Sequence, residues 1–373
     1  MKIAYLSYSL IPSRTANSIH VMKMCHAFVS EGHQVELFAP RIQSNDNSDS
    51  QDVYAYYGVT PNFQIHRTWW PQWLGRAYLY GLLVARKIKA SQFDLIFSRC
   101  LPSVFFASFK RIPVIFEYHQ PIHDSGRLSW LNKLLFSYLI SRKNFLRLVV
   151  ITHTLEQHFL ERYPALAGKI IVAADGADPF PEEVQPAIHP NSGKRLQVGY
   201  VGQLYPGKGM EILSRLCQEA TFADFHVVGG MQQDINKWKS EIKTSNITFH
   251  GFVPHSQTLA YIASFDVVLL PNLRKVVWHK SGGDIGQWTS PLKMFEYMAA
   301  AKAIVSSDLP VLAEVLDDEK NALMCSPENT SDWVKALRRL EDAELRERLG
   351  QQARKDFLNN YTWQKRAQKL LKP

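Results

Sequence analysis

The chain contains no uninterrupted apolar run of about 18 residues, the length a membrane-spanning helix needs, so no span is expected. Cysteine is sparse and scattered: Cys25, Cys100, Cys217 and Cys325 form no C-x-x-C pair and have no histidine clustered at zinc spacing. That argues against a disulfide framework and a zinc knuckle, and it fits a reducing compartment. The opening MKIAYLSYSLIP is too short in its apolar stretch for a signal peptide and lacks a small-residue cleavage site, so it reads as a first strand. The turn after it, SYSLIPSRTANSIH, lacks the G-x-G-x-x-G of a dinucleotide site, which disfavours a nicotinamide enzyme. Acidic residues are scarcest between positions 60 and 150, where three (Asp94, Glu117, Asp124) face 13 lysines and arginines, and this imbalance accounts for the whole net charge of +9.

Into that basic window fall Trp69, Trp70, Trp73, Tyr78, Tyr80, Trp130, Phe136 and Tyr138. Basic side chains interleaved with aromatics suit peripheral contact with an anionic leaflet; they are equally compatible with an ordinary basic surface over core aromatics. Single strands of nucleic acid also favour such a mixture, but no recognition motif accompanies it, and no nucleic-acid partner is expected. With 373 residues, 46% hydrophobic and 21% charged, the chain has material for two globular domains of ordinary size.

Short apolar runs alternate with helical patterns throughout. KIAYLSYS, HQVELFAP, FDLIFSR, IPVIFEYH, RLVVIT and KIIVAAD read as strands of a first half, and LQVGYVG, DFHVVGG, NITFHGFV, FDVVLLPN and KAIVSSD as strands of a second. Continuous apolar strands separated by helices imply two α/β domains, each a doubly wound parallel sheet covered on both faces. Such sheets bind ligands at the carboxyl ends of their strands, so a cleft between two of them is the expected site. The stretch 178–195, with Pro179, Pro181, Pro186 and Pro190 and no periodicity, reads as the linker. The domains are therefore expected at 1–185 and 186–355, with a basic helix at 356–373 packing back on the first. The polar run SNDNSDSQD, residues 44–52, reads as a mobile loop.

Two stretches of the second half carry chemistry. In GYVGQLYPGKGMEIL a strand ends at Gly202, a glycine-rich turn follows, and a helix opens after Gly209, placing backbone amides and a helix dipole beside Lys208. Gly202, Gly207 and Lys208 match the start of a Walker A loop, but Gly209 stands where a metal-holding Ser or Thr belongs, so the NTPase reading loses its metal ligand. In TSPLKMFEYMAAAKAIVSSDLP, Ser290 suits a helix N-cap and Pro291 the first helical position. Lys293 then lies in the first turn, where the helix dipole disfavours a cation unless an anion binds there. Glu296 shares the apolar stripe of Leu292, Phe295 and Ala299. Either Lys293 and Glu296 form a local i, i+3 pair, or they meet the phosphate and the sugar hydroxyls of one ligand. In the first half, IPVIFEYHQP puts Glu117, His119 and Gln120 at a strand end, and Ser18 suits the cap of the helix after the first strand.

These residues resemble glycosyltransferase family 4, retaining sugar-nucleotide transferases of the GT-B fold, over essentially the whole chain. The likeness rests on HVMKMCHAFVSEGHQVELFAP, IIVAADGAD, GYVGQLYPGKG, ITFHGFVPHSQTLAYIASFDVVLLPN and SPLKMFEYMAAAKAIVSSDLPVLAEVL, in that order. It implies transfer from a nucleoside diphosphate sugar, without metal or other cofactor, to a glycan or lipid-linked acceptor in cell-envelope synthesis, at the cytoplasmic face of a membrane. It implies, too, that Lys208 contacts the diphosphate, with Gln203 replacing the family's arginine; that Glu296 holds the ribose; and that His119 meets the donor sugar near the reacting centre. Gly202, Gly207, Ser290, Pro291, Leu292 and Lys293 complete the implied donor site, and Ala16, Asn17, Ser18 and Glu117 the loop facing donor phosphate or acceptor. The family's other glutamate falls on Trp288, leaving Asp284 or the Gly282-Gly283 backbone to meet the sugar. Two alternatives accompany this reading: a nucleotide-sugar epimerase of the same fold, and a non-catalytic binding subunit of a glycan assembly complex.

Overall fold

The computed structural model describes residues 1–41, 52–71, 73, 75–122, 128–188, 195–278, 283–284 and 286–372. Most of the polar run at 44–52, six residues of the proline-rich stretch and Gly282 lie outside these described residues. Contacts divide the chain into two compact units, one of Met1–Ala174 with Trp363–Pro373 and one of Asp175–Thr362.

The first unit is built on β1 (Lys2–Leu6), β2 (Gln34–Pro40), β3 (Gln64–Thr68), β4 (Leu95–Ser98), β5 (Val114–Glu117), β6 (Phe145–Val150) and β7 (Ile170–Val172). They form one parallel sheet in the order β3-β2-β1-β4-β5-β6-β7. β4 and β5 are buried at every position, as continuous apolar runs in a doubly covered sheet must be. Helices α1 (Ala16–Ser30), α2 (Val53–Tyr57), α3 (Arg76–Lys87), α4 (Leu101–Ser108), α5 (Ser129–Ser141) and α6 (His153–Arg162) cover it. Tyr5, Phe28 and Phe97 interlock at the centre, with the Tyr5 and Phe97 rings 5.0 Å apart.

The second unit repeats the plan with β8 (Leu196–Val201), β9 (Ala223–Val228), β10 (Ile247–Gly251), β11 (Val267–Leu270), a small hairpin of β12 (Val277–Trp278) and β13 (Gly283–Asp284), β14 (Ala303–Ser307) and β15 (Leu323–Cys325). Its main sheet is parallel in the order β10-β9-β8-β11-β14-β15. Around it lie α7 (Met210–Glu219), α8 (Gln232–Glu241), α9 (His255–Ala263), α10 (Leu292–Ala299), α11 (Pro310–Ala313), α12 (Thr330–Arg339) and α13 (Ala343–Asn360). In each sheet the strand order reverses beside the first strand, between β1 and β4 and between β8 and β11. The carboxyl ends at such a reversal are where doubly wound sheets hold ligands.

Two boundaries differ from the sequence reading. The second unit begins at Asp175, ahead of the proline-rich stretch, because the intervening backbone is bound to that unit: the Asp175 amide donates to Ser290 Oγ at 3.2 Å, Ala187 to the Ala260 carbonyl and Ile188 to Ser264 Oγ, both at 2.9 Å. The terminal helix is two helices, broken at Tyr361-Thr362. Only the last, α14 (Trp363–Leu371), belongs to the first unit, where it packs on α1.

Candidate donor site and the buried charges of the two units

At the β8 end, Gly207 and Gly209 have φ of +85° and +110°, and a Cβ on either would lie within 2.3 Å of a backbone carbonyl, that of Lys275 or Pro271. Only glycine lets the turn press against the chain that follows β11. Three of the turn's amides are engaged within the unit and do not face outward. Gly202 N–H donates to the Val228 carbonyl, Gly207 N–H to Glu211 Oε1, and Lys208 N–H to the Tyr205 carbonyl, at 2.9 to 3.1 Å. A carboxylate from the first turn of α7 has taken one of the donors that a phosphate would use. Gln203 is exposed, and its carbonyl accepts from Tyr200 Oη at 2.7 Å.

Two lysine side chains bring positive charge to the same strand end. Burial pulls the Lys208 ammonium down to about 8. Lys293 is held well below the ordinary lysine range, by burial first and by Lys208 second, with Glu296 opposing. Lys293 Nζ lies 3.8 Å from the centroid of the Tyr200 ring, and it has no hydrogen-bond partner. Tyr297, one turn on, places it there: its hydroxyl accepts from the Val201 amide at 2.8 Å and ties α10 to the end of β8. A desolvated ammonium resting on a π-face, with a second lysine close enough to depress it, is costly, and a neighbouring anion would relieve that cost.

Three expectations about α10 need correction. Ser290 is not the N-cap: Pro291 occupies that position with ψ 124°, the helix starts at Leu292, and Ser290 Oγ is engaged with Asp175. Glu296 borders the buried stripe and does not lie within it; Met294, Phe295, Tyr297, Met298 and Ala299 are buried, whereas Pro291, Leu292 and Glu296 are half-buried. The local Lys293–Glu296 pair does not form; Glu296 Oε1 instead accepts from His255 Nε2 at 2.7 Å. Nothing in the sequence flagged His255, since its partner lies 41 residues away on another helix. Asp284 is also committed, its Oδ1 accepting from the Val276 and Gly286 amides at 3.0 and 2.8 Å.

In the first unit, Glu117 ends β5 fully buried. Around it are Arg366 (Nη2 at 3.1 Å, Nη1 at 3.3 Å), His20 Nε2 at 3.1 Å, Arg99 Nε at 3.7 Å and a hydrogen bond from His119 Nε2. Burial alone would raise this carboxyl, but Arg366, His20 and the His119 hydrogen bond outweigh it and hold it well below the usual carboxylate range. Glu117 is thus an internal counter-ion and does not line an acceptor loop. His119 is half-buried and held at both ring nitrogens: Arg99 Nη2, which can only donate, meets Nδ1 at 2.9 Å, leaving the proton on Nε2 for Glu117. As a candidate catalytic group it has no ring nitrogen open in this arrangement.

Nor does Ser18 cap α1. Thr15 does, accepting from the Ser18 amide, while Ser18 Oγ donates to the Ser13 and Thr15 carbonyls at 2.9 and 2.8 Å. Ala16 is exposed at the helix start. Asn17 donates to Ser9 Oγ at 2.5 Å and its buried Oδ1 has no partner, so of the four expected loop residues Ala16 alone is exposed. The aromatics of the basic window divide: Tyr80 and Phe136 are core, whereas Trp69, Trp73, Trp130 and Tyr138 are exposed. Among the described residues no helix is long and apolar enough to cross a membrane.

Comparison with known proteins identifies the two parallel-sheet Rossmann-like units as those of a GT-B glycosyltransferase. Residues 18–179 match Glycosyltransferase Family 4 and residues 195–342 match Glycosyl transferases group 1, so the chain is a glycosyltransferase of the family 4 type. An uncharacterized glycosyltransferase of Methanocaldococcus jannaschii is 21% identical over 389 residues, spanning 97% of this chain and 95% of that one. Among solved structures, sucrose-phosphate synthase from Thermosynechococcus elongatus superposes with a TM-score of 0.73 at 17% identity, over 99% of this chain and 97% of that one. Anabaena HepE, solved in complex with UDP, does so with a TM-score of 0.70 at 16% identity, over 99% and 98%.

Proposed function

We propose that the chain transfers a sugar from a nucleoside diphosphate sugar, with retention of anomeric configuration and without a metal, to a lipid-linked or polysaccharide acceptor of cell-envelope glycan synthesis. The observation that carries this reading is the pair Lys208 and Lys293, desolvated and short of an anion at the β8 end. When the bond between the sugar and the diphosphate breaks, negative charge grows on the leaving phosphate. Two lysine side chains already in place, held protonated by the bound diphosphate, would stabilise that charge in the position where other enzymes use a divalent cation. Glu296 would accept hydrogen bonds from the ribose hydroxyls. The acceptor hydroxyl would attack on the face the diphosphate leaves, passing its proton to the departing phosphate oxygen. UDP is the first nucleotide to test, because a neighbour of the same fold was solved with it.

A peripheral membrane contact is part of the proposal, placing the enzyme at the cytoplasmic face. Its support is α5, where Trp130, Leu134 and Tyr138 recur every four residues and are 63%, 57% and 44% exposed, flanked by Lys110, Arg111 and Arg142. Flotation with vesicles containing phosphatidylserine tests it; equal recovery with neutral vesicles removes this element alone.

The central test is thermal shift and calorimetry with UDP, GDP and ADP, followed by incubation of the binding donor with envelope extracts and NMR of the product anomer. Selective binding with an α-linked product from an α-linked donor supports the reading. A free epimer formed without acceptor would identify an epimerase, and binding without turnover in any extract would identify a binding subunit.

A further inference from the structure

We propose that His255 is a positioning residue of the donor site: by holding Glu296 it keeps that carboxylate from closing on Lys293, so that both stay available to one ligand. The inference rests on the reading of Glu296 as the ribose contact.

Lys293 and Glu296 are three residues apart on α10, a spacing at which opposite charges ordinarily meet. Attraction between them is strengthened here by burial, since Lys293 is desolvated and Glu296 is only 13% exposed. The pair nevertheless stands open, and each member is held from a different element. Tyr200, on β8, presents its ring to the Lys293 ammonium at 3.8 Å. His255, the first residue of α9, meets Glu296 Oε1 at 2.7 Å. Its backbone position is fixed by Pro254 at the N-cap, whose ring restricts φ (here −56°). With Oε1 engaged, Oε2 and the remaining lone pairs are left as acceptors for a vicinal diol. Without His255, the three side-chain torsions of Glu296 would let it reach Lys293, and the resulting bridge would cancel the diol acceptor and the phosphate cation together.

The test uses the full chain and three probes, UDP, GDP and ADP, each beside its 2′,3′-dideoxy analogue, titrated by calorimetry. The unmodified protein should bind its preferred ribonucleotide at least about tenfold more tightly than the dideoxy form, the difference a hydrogen bond to a charged group supplies. His255→Ala should bring that ratio close to one and also weaken the dideoxy nucleotide several-fold, because Lys293 is neutralised. His255→Gln, which retains an N–H donor, should recover most of the ratio. A histidine that only supports the fold would weaken both nucleotides equally and leave the ratio intact, and that result in His255→Ala overturns the proposal. Should Glu296→Ala abolish the ratio while His255→Ala preserves it, the ribose reading stands and the role of His255 falls. Diphosphate binding with no ribose preference in the unmodified protein would overturn both.

Discussion

Each unit buries charge at the carboxyl ends of its strands, and the two do so in opposite ways. Glu117 in the first is surrounded by Arg366, Arg99, His20 and His119, with both nitrogens of His119 used up in the process. Lys208 and Lys293 in the second crowd each other, with the only nearby carboxylate, among those that bear on Lys293, turned toward a histidine. A buried charge surrounded by its counter-ions is part of the scaffold. One left with a like charge and a π-face for company would gain from an added anion, and residue type alone does not tell them apart.

The largest expected effect comes from emptying the closed cluster. Arg366→Ala leaves Glu117 buried against weaker partners and should destabilise the first unit by about 3–5 kcal/mol, read from urea unfolding. Adding Glu117→Gln should recover part of that loss, and full additivity of the two changes would show that the cluster is not a cluster at all. The open pair should respond in the opposite sense. Lys293→Met removes an uncompensated cation, so the nucleotide-free protein should melt a few degrees higher while nucleotide affinity falls by about 10- to 100-fold. Unchanged affinity would take Lys293 out of the site.

A smaller effect follows from Lys208, which burial sets at about 8. Diphosphate binding favours the charged form and so raises this group. Above pH 8 the free protein loses the Lys208 proton, so binding must take one up and weakens by up to about tenfold per pH unit until the bound-state value is reached. In Lys208→Arg, which stays charged, that limb should disappear. The smallest effect is the reverse engineering of the open cluster: Gln203→Arg restores the charge that the family resemblance leads one to expect and, at an exposed position, should tighten UDP by about two- to fivefold. A loss of affinity would mean that Lys293 already occupies the place of the missing charge.

Much of this architecture was legible in the chain. Continuous apolar runs such as LIFS and VVLL could only be strands of a covered parallel sheet, and both became fully buried. Lys208, Lys293 and Glu296 stood out because each broke a local rule: a cation at a helix start, or a carboxylate against an apolar stripe. What stayed hidden were the partners. His255 and Arg366 reach across 41 and 249 residues, and no local periodicity records such a meeting. Ser18 and Ser290 were misread as caps for a related reason. A hydroxyl beside a helix start has several acceptors and donors within reach, and the backbone angles of Thr15 and Pro291, which the sequence does not display, decided where the helices begin.

The helix α14 gives the molecule an unusual order of completion. It supplies Arg366 to a domain whose other elements are all encoded before residue 175, yet it is made only after the whole of the second domain. At ordinary translation speeds the nascent first domain waits roughly ten to forty seconds, its buried glutamate lacking its arginine, while the whole second domain is made. Of the two domains, the earlier to be synthesised is therefore the later to be finished, and the second has the opportunity to fold while its neighbour is still provisional.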